Sequence, residues 1–127
     1  MSESITRGIR VTVKTSYVSS RSAPHRNYFF FAYHVSLSNE GDEAVQLVSR
    51  YWAITDGLGK TEEVSGPGVI GEQPYILPGA SFSYTSFCPL STSFGTMVGS
   101  YEMVTDEGEH FNVGVAPFTL AVPHALN

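Results

Sequence analysis

The sequence predicts an all-β protein, an antiparallel sandwich of seven to eight short strands. Three observations point there. Apolar and polar residues alternate with a period of two along most of the chain, while helical periodicity is nearly absent. Turn signals recur every ~8–12 residues, the spacing of a sandwich. Twelve glycines and seven prolines supply those turns, and connections this short join antiparallel strands but cannot make parallel crossovers.

In chain order, Ile9, Val11, Val13 and Tyr17 alternate with Arg10, Thr12, Lys14 and Ser16, a strand with one wet face. Phe29, Phe31, Tyr33, Val35 and Leu37 repeat the pattern and stop at the turn cluster Asn39-Glu40-Gly41-Asp42. The next strand changes phase. Val45 and Leu47 share one parity, Trp52 and Ile54 the other, so a β-bulge is expected near Val48–Arg50. Asp56-Gly57-Leu58-Gly59 reads as a turn into a short strand near Thr61–Ser65, followed by a glycine-rich stretch. Leu77-Pro78-Gly79-Ala80 is a further turn, and Phe82 and Tyr84 then alternate with serines. Gly95–Thr105 and Glu109–Val115 read as a hairpin about Asp106-Glu107-Gly108. Phe118, Leu120 and Val122 come after Pro117 in the opposite phase, which predicts an edge strand or a switch between sheets.

With no internal repeat, low-complexity tract or linker, residues 1–127 read as one domain. A chain of this length buries roughly two-thirds of its unfolded surface. At 42% hydrophobic residues it has the apolar content to fill a core. No apolar run approaches the ~20 residues of a membrane span, and the first residues lack the apolar stretch of a signal peptide. Cys88 is the single cysteine, so no internal disulfide forms and a cytoplasmic location is expected. Flanked by Phe87 and Pro89, it reads as a buried rather than a reactive thiol. All seven basic residues lie in the first 60 positions, which carry a net +2, against −7 for the remainder. An acidic chain without a basic stripe is not expected to bind nucleic acid. Strands of the two halves can interleave, so the asymmetry need not create two faces.

The stretch Gly66-Pro67-Gly68-Val69-Ile70-Gly71 spells G-x-G-x-x-G. A dinucleotide fingerprint sets these glycines between a strand and a helix whose N-terminus holds pyrophosphate. Here Glu72-Gln73-Pro74 comes next, leaving no room for a helix, and no lysine or arginine lies beyond Lys60. A Walker loop would need Lys-Ser or Lys-Thr after the glycines. The favoured reading is a β-sandwich loop whose glycines supply positive φ angles and close backbone packing. Nucleotide-polyphosphate binding is kept as the lesser alternative.

At this loop the chain becomes similar to a known family. Arg50-Tyr51-Trp52-Ala53-Ile54-Thr55-Asp56-Gly57 resembles the R-x-W-x-I-T-D segment of the bacterial ApaG family. Gly66–Pro74 resembles its G-x-G-V-[VI]-G-E-x-P loop, and Tyr84-Thr85-Ser86, Gly95–Met103 and Phe118-Thr119-Leu120 continue the likeness in order. The resemblance runs from about Ile9 to the end of the chain. It implies an immunoglobulin/fibronectin type III-like sandwich, in agreement with the strand pattern. It also implies a short cytoplasmic protein, often encoded beside a diadenosine tetraphosphatase and an rRNA dimethyltransferase. The family is linked to cobalt resistance and magnesium efflux without an established mechanism. Related domains occur in eukaryotic F-box and DNA-polymerase-interacting proteins, where binding protein is the natural role. No catalytic residues carry over. Two departures stand out. Phe87 occupies the place of the family's glycine after Tyr-Thr-Ser, and Ser19–Asn27, often acidic, here holds Arg21, His25 and Arg26.

No other constellation carries chemistry. His25, His34, His110 and His124 are scattered without zinc-ligand spacing. Glu102, Asp106, Glu107 and Glu109 cluster at a hairpin, where weak Mg²⁺ or Co²⁺ contact competes with simple solvation. No serine sits in G-x-S-x-G. Trp52 is expected in the core between sheets, with Arg50 beside it pairing with a carboxylate or stacking on a ring. Tyr75, Ile76, Phe87 and Leu90 either cap the sandwich or form an association patch. The expected function is a non-enzymatic protein-interaction domain without cofactor. Its candidate contact loop comprises Gly66, Gly68, Gly71 and Glu72, with Arg50 alongside. The alternative is an accessory role in divalent-cation efflux or resistance. Edge strands leave self-association open.

Overall fold

Nine strands carry the chain in the computed structural model, which describes residues 1–124. They are β1 (Ser2–Thr6), β2 (Ile9–Tyr17), β3 (Phe29–Asn39), β4 (Val45–Asp56), β5 (Thr61–Pro67), β6 (Tyr75–Ile76), β7 (Ser81–Leu90), β8 (Phe94–Thr105) and β9 (His110–Ala121). The only helical pieces among the described residues are two 3-10 turns, Ser19–Arg21 and Pro24–Arg26. All strand pairs are antiparallel. One sheet runs β1-β2-β3-β7, the other β5-β4-β8-β9, and β6 also pairs with β4. This is the sandwich the alternation predicts.

The strand count exceeds the expected seven to eight. The alternation does not reveal β1, because Ser2–Thr6 has only Ile5 as a large apolar residue, and that side chain is exposed. Its register comes instead from a two-residue turn, in which Arg7 (φ 48°) and Gly8 (φ 82°) both take the positive φ that a tight hairpin requires. At the other end, the two strands expected on either side of Pro117 are one continuous β9.

Both phase changes are bulges. Leu47 pairs with Met103 and Ser49 with Glu102, so Val48 is the extra residue. That slip lets Val45, Leu47 and Trp52 all point inward. In β9, Ala116 and Pro117 together oppose Val98, between the Met97–Phe118 and Gly99–Val115 pairs. β9 is the outer strand of its sheet, where proline is tolerated.

The inner faces form one apolar layer centred on Trp52, which is 2% exposed and whose ring meets Tyr33, Tyr101 and Phe118. Trp52 is thus the inter-sheet tryptophan the pattern anticipates. Tyr84 and Tyr101 join the sheets through a buried phenol–phenol hydrogen bond of 2.5 Å. The sheets also meet along one side, where Ser4 Oγ donates to the Gly114 carbonyl at 2.8 Å. On the opposite side the outer strands β5 and β7 stay apart and leave a groove.

Among the described residues, the basic and acidic halves of the sequence meet in one ion pair, Arg7–Glu109. Arg7 bridges Glu43 and Glu109, and Arg10 bridges Glu3 and Glu40.

Candidate functional site

The glycine loop is an excursion from the outer edge of β4. β5 pairs with Ser49–Thr55, the chain then leaves the ladder, and β6 returns to pair with Val45–Gln46. The bulge receives the excursion. The Val48 carbonyl accepts the Gly68 amide at 2.8 Å and the Gln73 side-chain amide at 2.9 Å. Beyond Gly68, Val69 and Glu72 exchange two backbone hydrogen bonds of 2.8 Å around a two-residue tip, Ile70-Gly71. Both tip residues have positive φ, 42° and 80°. Glycine accepts this at little cost. A β-branched residue does not, and Ile70 at φ 42° is a point of stored strain. Its side chain is nevertheless 56% exposed. Val69, beside it, is fully buried and plugs the loop into the core.

Gly68 has φ 59°, and a Cβ there would lie 2.2 Å from the Glu72 carbonyl oxygen. Gly66 covers the Arg50 guanidinium, 3.2 Å from where its Cβ would stand. Gly68 therefore needs glycine for close packing, a Cβ at Gly66 would press on the guanidinium, and Gly71 needs glycine only for its φ angle.

Arg50 departs from expectation. It neither pairs with a carboxylate nor stacks on a ring among the described residues. Its Nη1 instead donates to the carbonyls of Pro67 at 3.1 Å and Gly68 at 2.9 Å, bracing the loop from below. Of the candidate contact residues, Gly68 is buried and Arg50 and Gly66 are half-buried, while Gly71 and Glu72 are exposed. Any contact at this loop falls to Gly71, Glu72 and the unforeseen Ile70. The amides of Gly68, Val69 and Glu72 already donate within the protein, so few donors are left to cradle a phosphate.

The hairpin acids turn toward protein groups. Glu102 accepts from Ser49 Oγ and His110 Nδ1, both at 2.9 Å, and these bonds hold its carboxyl below the usual range. Bonding to Arg7 does the same for Glu109. Tyr75 donates to Asp106 at 2.7 Å. Among the described residues, no three His, Cys, Asp or Glu converge as metal ligands. Cys88 is 5% exposed, and burial, with a smaller contribution from Glu62, pushes its thiol up to about 11. Ile76 and Leu90 are buried caps, whereas Tyr75 and Phe87 are about half exposed (53% and 49%). Phe87 stacks on Phe30 beneath the Arg21 guanidinium, on the outer face of the first sheet.

The loop, its brace and the core tryptophan all lie within one matched family segment. The ApaG domain family model matches residues 19–105. The chain belongs to the ApaG family. It is 52% identical to Protein ApaG of Rhodospirillum centenum over 98% of this chain and 95% of that one. Against Protein ApaG of Anaeromyxobacter dehalogenans it is 50% identical over the full length of both. A crystal structure of a Bordetella pertussis protein described as ApaA superposes with a TM-score of 0.90 at 44% identity, covering 92% of this chain and 95% of that one. The C-terminal domain of wzt, at 11% identity and a TM-score of 0.58, shares the fold alone. The structure brings the two ApaG-like segments into contact. Arg50 of the first holds the backbone of the second, and Trp52 anchors the strand that carries Arg50.

Proposed function

We propose that this ApaG-family chain is a non-enzymatic interaction domain of the cytoplasm that engages a protein partner through the tip of the glycine loop. One observation carries the reading. An isoleucine is held at positive φ and turned 56% to solvent, on a loop that is otherwise tightly braced. Folding alone would favour asparagine or glycine there, and an exposed, strained apolar side chain on a rigid scaffold is the mark of a contact residue. Tyr75, on the strand to which the loop returns, and Leu77 just after it are also exposed, 53% and 55%. Burial raises the phenols of Tyr84 and Tyr101 and the thiol of Cys88, so none of these three core groups is an activated nucleophile, in keeping with the non-enzymatic reading.

The test is affinity capture with crosslinking from cell extract, comparing wild type with Ile70→Asp and Phe87→Asp. A partner that crosslinks to the loop in wild type, is lost with Ile70→Asp and is kept with Phe87→Asp supports the reading. The same partner retained by a folded Ile70→Asp protein removes the loop from it.

A further inference from the structure

The groove between β5 and β7 is a second place where the molecule keeps unspent binding capacity. It encloses about 330 Å³, within the lower range of small-ligand sites. Its floor is Trp52, Tyr33 and Met97, and Val64 and Cys88 form facing walls. Arg50 stands at one end. The register explains the layout. Arg50, Trp52 and Ile54 alternate on the inner face of β4, opposite Gly66, Val64 and Glu62 of β5.

Two groups lining it keep unused donors. Trp52 is 2% exposed, and its buried Nε1 has no acceptor among the described residues. A buried N–H without an acceptor costs roughly 1–3 kcal/mol. Arg50 is half-buried with no carboxylate in ion-pair range among the described residues, whereas Arg7 and Arg10 each hold two. Both of its bonds leave from Nη1, and its Nε and Nη2 have no acceptor among the described residues. A partly desolvated guanidinium with a free fork beside an apolar floor matches a carboxylate carried on an apolar body. Glu62 also lines the groove, facing Ile54, four residues along β4 from Arg50. At about 3.3 Å per residue their backbones stand ~13 Å apart, so Glu62 marks the far end of the groove and the carboxylate is placed at the Arg50 end.

We propose that this groove binds an organic carboxylate with a compact apolar body. Its oxygens sit on Arg50 and its apolar part lies on Trp52 between Val64 and Cys88. The carboxylate comes either from a free small acid or from the C-terminus of a peptide. The site stands apart from the Ile70 tip, and neither depends on the other being used.

Trp52 is the one tryptophan and forms the floor, so its fluorescence reports occupancy. Phenylacetate and hexanoate are titrated against phenylacetamide, and Gly-Gly-Phe with a free C-terminus against its amide. Saturable binding of the acids with at least about tenfold weaker binding of the matched amides is expected, which is the ~1.4 kcal/mol scale of one lost charge-assisted contact. Phenylacetate or hexanoate alone binding identifies a small-acid site, and the free tripeptide alone binding identifies C-terminus capture. Arg50→Gln should lose the preference for acid over amide. Because Arg50 also braces the loop, Val64→Phe is the second variant: it fills the groove from an exposed edge position without adding a second tryptophan, and should abolish binding with the fold intact. Amides binding as well as acids, undiminished binding by Val64→Phe, or no saturation by any acid up to about 10 mM overturns the proposal.

Discussion

Replacing Gly68 by alanine tests whether the glycine loop is braced as the structure implies, and Gly71→Ala is its internal control. Both residues have positive φ, 59° and 80°, so both substitutions carry the left-handed penalty of about 1–2 kcal/mol. Both also gain up to about 1 kcal/mol because alanine restricts the unfolded chain. Only Gly68 meets a neighbour. Its Cβ would stand 2.2 Å from the Glu72 carbonyl oxygen, where ordinary contact lies beyond ~3 Å, so the two sides of the loop must part by about an ångström. Parting them strains the paired Val69–Glu72 hydrogen bonds and draws the fully buried Val69 outward, and that side chain's burial contributes about 1.5–3 kcal/mol. Gly68→Ala should therefore destabilise by about 2–4 kcal/mol and Gly71→Ala by about 0–1.6. Urea unfolding followed by Trp52 fluorescence measures both, since that tryptophan is buried and unique. Equal effects, or a larger loss at Gly71, would refute the packing argument and reduce the loop to its φ angles.

The same geometry sets other outcomes. Ile70→Asn places at the turn tip a residue that tolerates left-handed backbone, so it should raise stability by about 1 kcal/mol while weakening any partner contact; calorimetric melting checks the first half. Tyr101→Phe leaves the Tyr84 hydroxyl buried without its partner and should cost about 1–3 kcal/mol, whereas Tyr84→Phe with Tyr101→Phe together should cost less than the sum, a double-mutant cycle that denaturation can close. Cys88 has a folded pKa near 11 against an ordinary 9.0, so its contribution to stability is full below pH 9 and is lost as pH rises through 11. Burial moves Tyr84 and Tyr101 in the same direction, which steepens the alkaline loss. Wild type should lose stability between pH 9 and 11 faster than Cys88→Ala, and its thiol should react with Ellman's reagent at pH 8 only on unfolding.

The strands are legible because each buried face is written twice, once by alternation and once by the turns around it. Even the bulge at Val48 shows, as a change of parity between Leu47 and Trp52. What escapes is structure held by backbone rather than by side chains. β1 pairs through its ladder and presents little apolar pattern. Ile70-Gly71 forms a tight turn without the Asn-Gly that would announce it. The glycine stretch is readable as a sandwich loop because Glu72-Gln73-Pro74 stands where a helix would have to begin. The burial of Val69 is not readable, since a single valine has no period. The role of Arg50 is hidden for a related reason. Sequence offers side chains as partners for a guanidinium, and here the partners are two carbonyls.

That residue also shows what the uneven charge distribution means. Residues 61–127 contain no lysine or arginine, so a cation for the glycine loop or for the groove must come from elsewhere in the chain. β4 can supply it because it lies inside its sheet, next to β5 on one side and β8 on the other. From there Arg50 reaches up to the loop carbonyls and leaves the rest of its fork facing the groove. Arg7 and Arg10 are neutralised by acids of β1 and of the turns after β3 and β8, but no acid lies in ion-pair range of Arg50 among the described residues. A guanidinium placed only to brace backbone could have been neutralised in the same way at little cost, as an added carboxylate would lower the penalty of half-burying it. Its uncompensated charge is better accounted for by an acceptor that arrives from outside, and Arg50→Lys separates the two tasks. A lysine keeps the charge but loses the planar fork, so it should retain a weakened preference for acids in the groove while the loop loosens.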